Sequence, residues 1–114
     1  MERGDILRGR KTYHPIIFLE TIDDDQFKGC VLTHLKNHSD NFPFQVSHFL
    51  EKDTAGNDFK VKFDSSYFVK LVFIKKKEWG PFVKVGQLTQ EGLSFIYDQT
   101  NGKNPVYWDD YVKV

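Results

Sequence analysis

Apolar and polar positions along the chain group into short, strand-length blocks. Gly4 to Leu7 forms the first, and the basic turn Arg8-Gly9-Arg10-Lys11 follows it. Pro15-Ile16-Ile17-Phe18-Leu19 is continuously apolar, as expected of a strand covered on both faces. The acidic Asp23-Asp24-Asp25 predicts a solvated hairpin tip, and Lys28 to His34 the returning strand, centred on Cys30-Val31-Leu32. Asn37 to Phe44 reads as loop, Gln45 to Leu50 as strand, and residues 53–58 as turn. Phe59-Lys60-Val61-Lys62-Phe63 alternates strictly, the pattern of a strand with one wet face. Tyr67 to Ile74 predicts a long strand ending in Lys75-Lys76-Lys77. Trp79-Gly80-Pro81 then turns the chain into a last strand, Phe82 to Val85.

One segment switches to helical spacing. Thr89 is placed to N-cap a helix from Gln90 to about Gln99, with Glu91 favourably near its positive end. Leu88 and Leu93 match a hydrophobic staple, and Leu93, Ile96 and Tyr97 follow 3–4 spacing. After Pro105, residues 106–114 are extended and aromatic, an edge strand or a cover over the helix. Short strands followed by one late helix predict a single mainly β domain over residues 1–114: a small barrel with one C-terminal α-helix and an extension from residue 105.

Composition supports the β reading. Eleven Phe, five Tyr and two Trp suit pleated, half-buried surfaces, whereas the best helix former, alanine, occurs once, as Ala55. The 114 residues allow one ordinary domain. A lone Cys30 cannot form an internal disulfide, so a reducing, cytoplasmic setting is expected. The charged start shows no signal peptide, and the apolar runs are far shorter than the ~20 residues of a membrane helix. Sixteen cationic side chains cancel sixteen anionic ones. That balance speaks against indiscriminate polyanion binding but hides a polarity. Residues 59–86 carry seven Lys against Asp64 and Glu78, net +5, while residues 1–58 are net −3 and residues 87–114 net −2.

The order of elements, opening on Gly4-Asp5-Ile6-Leu7, resembles the MazF/PemK-like toxin family of type II toxin–antitoxin systems. Members open on Gly-Asp-Ile or Gly-Asp-Val and a polar loop. An Arg-Pro dipeptide then leads an apolar strand; here it is His14-Pro15 before Ile16-Ile17-Phe18-Leu19. Val31-Leu32-Thr33-His34 stands where the family's next strand ends in a Thr or Ser near the active site. Gly86-Gln87-Leu88-Thr89 is similar to the family's Gly-x-Leu-[Ser/Thr] lead-in to its last helix. The likeness runs from Gly4 to Ile96, and the excursion from Lys36 to Asp64 has no counterpart in it. It implies an SH3-like barrel, often a homodimer, that cleaves single-stranded RNA without metal and is neutralised by an antitoxin.

Metal-free RNA cleavage needs a base for the 2′-OH, an acid for the leaving 5′-oxygen and cationic donors for the phosphorane. Imidazole suits both proton transfers, its ordinary pKa being about 6.5. A hairpin through Asp23-Asp24-Asp25 makes His14 and His34 neighbours, with Thr33 on the opposite face from His34 unless the strand bulges. His14, Thr33 and His34 are therefore the candidate catalytic residues. Arg10, Lys11, Lys75, Lys76, Lys77 and Trp79 are the candidate RNA contacts, cations beside aromatic faces being suited to single strands. Lysines also serve merely to keep strand edges solvated. Cys30, His34 and His38 recur at four-residue spacing, but in a strand such positions lie ~13 Å apart and fit no zinc site. No metal or cofactor is expected. The competing reading is a catalytically inactive barrel that binds nucleic acid or a protein.

Overall fold

A computed structural model describes residues 2–9, 14–33, 41–59, 67–69, 72–77, 80–101 and 104–108. Eight strands and one α-helix follow in the order β1 (Asp5–Arg8), β2 (Ile16–Thr21), β3 (Gln26–Thr33), β4 (Asn41–Pro43), β5 (Tyr67–Val69), β6 (Phe73–Lys76), β7 (Val83–Gln87), α1 (Gln90–Thr100) and β8 (Val106–Tyr107). The chain is mainly β, as its pattern predicts.

The sheet runs β4-β5-β3-β2-β1-β7, and β6 lies beside β3 with β8 parallel to it on its far side. Its centre is the hairpin β2–β3. Asp23 builds the tip by accepting, through Oδ1, the backbone N–H groups of Asp25 (2.8 Å) and Gln26 (2.9 Å). The apolar run is covered on both faces. Ile17 and Leu19 join Ile6, Cys30, Leu32, Phe44, Val72, Leu88 and Ile96 on the helix side, while Ile16 and Phe18 join Leu7 and Phe27 on the other. Phe82 closes that second face edge-on to Phe27, centroids 5.4 Å apart.

Gly4 anchors both neighbours of β1: its N–H donates to Phe18 O (2.8 Å) and its carbonyl accepts from Leu88 N (2.9 Å). Its φ of +93° and the nearness of Leu93 to the position of a Cβ explain a glycine here. Asp5 beside it is buried. Its Oδ2 accepts Glu2 N–H (2.9 Å), and Oδ1, without an aligned hydrogen bond, lies 3.2 Å from the Lys84 ammonium across the β1–β7 ladder.

Several expectations change. Gln45 to Leu50 is not a strand: Val46–His48 is a 3₁₀ turn, closed by Gln45 N–H donating to His48 Nδ1 (3.0 Å). Part of the predicted loop, Asn41–Pro43, is instead an edge strand on β5. The long strand from Tyr67 divides into β5 and β6, which pair successive stretches of β3. Tyr97, placed by spacing on the buried stripe, is 41% exposed. Nor does the sheet close into a barrel. Among the described residues, the β4 and β7 ends are linked through the segment after β4, by the bridge Phe49↔Leu88 and hydrogen bonds such as Leu50 N to Gln87 O (2.9 Å). The predicted strand 59–63 lies beyond residue 59 outside the described residues.

Candidate functional site

The β2–β3 ladder determines where the candidate catalytic residues stand. Ile16 pairs with Val31 in the last pair of the ladder, and Leu32 N donates to Pro15 O (2.9 Å), so His14 stands one residue beyond the last of these hydrogen bonds, at the end of the hairpin where Thr33 ends β3. His14 itself is a bend ahead of β2. On its other side Thr33 pairs with Tyr67 of β5. Directly paired residues share a face, so Thr33 and Tyr67 stand side by side on the side of Ile16 and Phe27, with His14 at the same end of the sheet. His14 is exposed and Thr33 buried. Arg8 ends β1 at the same end of the sheet and is exposed. His34, Arg10 and Lys11 lie outside the described residues.

The sequence pattern marks Tyr67 only as the start of a predicted strand. Its position beside Thr33 comes from pairing between residues far apart in the chain, which no local pattern encodes.

The lysines stand elsewhere. Lys75 pairs with Phe27 and Lys76 with Gln26, at the Asp23 end of the hairpin. Six residues of strand separate Phe27 from Thr33, roughly 20 Å at ~3.3 Å per residue. Strand alternation also divides the run. Lys75, 2% exposed, points inward with Nζ 3.6 Å from the centroid of the Trp108 ring. Lys76 is half-buried on the opposite face, and Lys77 Nζ donates to Asp23 O (2.8 Å). A continuous row of three solvated ammonium groups, as the sequence suggests, is therefore not what forms. Trp79 lies outside the described residues.

Two other titratable groups are set by burial. The Cys30 thiol, in the helix-side core, is pushed up to about 12, so it is no nucleophile at neutral pH. His48 is stacked on Phe95 at 4.5 Å, and burial lowers its pKa, with Glu91 acting the other way. Among the described residues, no three His, Cys, Asp or Glu side chains are grouped to hold a metal ion. Nor is any helix there long and apolar enough to cross a membrane.

Compared with family models, curated proteins and solved structures, the chain matches none.

Proposed function

We propose that the protein is a toxin-like, metal-independent endoribonuclease acting on single-stranded RNA, as its resemblance to MazF/PemK-like toxins implies. The observation in favour is that exposed His14, just ahead of β2, and Thr33, the last residue of β3, stand at the same end of the β2–β3 hairpin. In this reading neutral His14 removes the 2′-OH proton, and the 2′-oxygen attacks phosphorus. The bond to the 5′-oxygen breaks, leaving a 2′,3′-cyclic phosphate. Thr33 donates a hydrogen bond toward the phosphorane, or His34 assists in its place if the strand bulges there, and the leaving oxygen takes its proton from solvent. Arg10 and Lys11 hold the flanking phosphate. A homodimer, an antitoxin partner and residence in the cytoplasm belong to the same proposal.

The separation of Lys75, Lys76 and Lys77 from His14 favours a second reading, in which the fold binds RNA or a protein without cutting. Incubating the purified protein with a long single-stranded RNA in excess EDTA separates the two. Fragments carrying cyclic phosphate ends, still formed by Cys30→Ala, support the nuclease. Intact RNA, bound in a salt-sensitive manner, supports the binding module.

A further inference from the structure

On the helix side of the sheet, away from His14, lies a pocket of about 310 Å³ lined by Arg3, Leu19, Glu20, Lys28, Val72, Tyr97 and Pro105. The size is at the lower end of ordinary small-ligand sites, roughly 300–1,000 Å³, which suits a ligand no larger than a nucleotide. Leu19 and Val72 are buried and give it an apolar base. Tyr97 and Pro105 add an aromatic ring and a flat apolar ring at its margin.

Four polar groups converge on that base from three separate parts of the chain. Arg3 arrives from the N-terminal segment and is fixed by donating Nε–H to Leu19 O (3.1 Å). Glu20 and Lys28, from the two strands of the hairpin, form an ion pair at 3.0 Å. Tyr97 comes from α1; burial raises its pKa, and the charges of Arg3, Glu20 and Lys28 act on it. At neutral pH the phenol is a donor, so the pocket offers three donors, one carboxylate acceptor and an excess positive charge.

An apolar base, an aromatic wall and a cation held rigidly by its own hydrogen bond are complementary to a flat ring carrying one anionic group. We infer that this pocket is a nucleotide site, taking a nucleobase between Tyr97 and the Leu19–Val72 base and its phosphate at Arg3. The occupant is a free nucleoside 5′-monophosphate or one nucleotide of an RNA strand. The inference does not depend on whether His14 cuts RNA, since it concerns binding at a different part of the sheet.

The test is calorimetric titration of the intact protein with the four nucleoside 5′-monophosphates, the matching nucleosides and a ten-nucleotide single-stranded RNA. At least one monophosphate should bind, its nucleoside at least tenfold more weakly. Arg3→Gln should lose tenfold or more and Tyr97→Leu several-fold, each titrated well below its own melting temperature, since Arg3→Gln also removes the bond to Leu19 O. Arg3→Lys should recover part of the affinity. A strand as occupant predicts that the RNA binds far more tightly than any monophosphate and that Arg3→Gln weakens both; a free nucleotide predicts no such gain. Absence of monophosphate binding at 10 mM, equal affinity for nucleosides, or affinity unchanged in Arg3→Gln would overturn the inference. These results are read without any cleavage, so they stand or fall separately from the nuclease proposal.

Discussion

Single side chains in this protein acquire roles their residue type does not advertise. His48 is an example: its Nδ1 accepts the Gln45 N–H, which requires the neutral ring. The unfolded chain takes up a proton near pH 6.5, whereas the folded His48 does so only at lower pH. The unfolded state therefore binds more protons over that interval, and its contribution to stability is flat above about pH 6.5 and falls as the solution is acidified. Urea unfolding at pH 7.5 and 5.5 should show a larger loss on acidification for the wild type than for His48→Phe. Equal losses would remove His48 as the cause. Lys75 is a second example. Buried over Trp108, it is expected to act on stability, where a desolvated cation–π contact is worth about 2 kcal/mol. Lys75→Gln should lower the unfolding free energy by roughly that amount. Lys76→Gln should leave stability nearly unchanged and weaken RNA binding. Denaturant unfolding and RNA titration of both variants would show whether the two effects divide in this way.

At the scale of elements, the junction between α1 and the 3₁₀ turn controls how the helix docks. Thr89 caps α1 by accepting Gly92 N–H (3.1 Å), while its own N–H and hydroxyl donate to His48 O (2.9 Å) and Ser47 O (2.7 Å). A Cβ on Gly92 would lie 2.4 Å from His48 O, a backbone atom that cannot turn away. Alanine gains up to ~1 kcal/mol in helix propensity, but overpacking of this kind costs about 1–3 kcal/mol. Gly92→Ala should thus lower the melting temperature, and a rise would contradict the close approach.

The capped helix and the β2–β3 hairpin were legible in the sequence because their signals are local: Thr89 before Glu91, an apolar run before three aspartates. The segment 41–50 was not. Its Asn and Pro suggest a loop, yet edge strands tolerate Pro because one side of their backbone pairs with nothing. Its apolar spacing suggests a strand, yet the His48 ring takes a backbone N–H that a ladder would need. In the candidate site, local pattern brings His14 and the Thr33-His34 pair to the same end of the hairpin, with His14 and His34 as the expected neighbours; His34 lies outside the described residues. Local pattern could not supply Tyr67, or the burial of Lys75, since their partners Thr33 and Trp108 are distant in the chain.

Across the whole molecule, the charge polarity of the sequence does not become a simple basic face. Of the four described lysines in residues 59–86, Lys75 lies over Trp108, Lys77 bonds Asp23 O, and Lys84 pairs with Asp5. Lys76 lies on the face opposite Lys75, half-buried. Any RNA strand using both the His14 end of the sheet and the Arg3–Lys28 pocket would cross the sheet toward the hairpin tip, rather than follow a lysine stripe. The proposed nuclease activity rests on the first of these regions, where exposed His14 precedes β2 and Thr33 ends β3. It is tested most directly by the single-turnover cleavage rate of a single-stranded RNA in EDTA, wild type against His14→Ala. Because His14 is exposed, the variant should melt as the wild type does. A rate at least about a hundredfold lower in the variant is the expected result, the size of a lost general base. No cleavage by the wild type, or equal rates in the two proteins, would contradict the account.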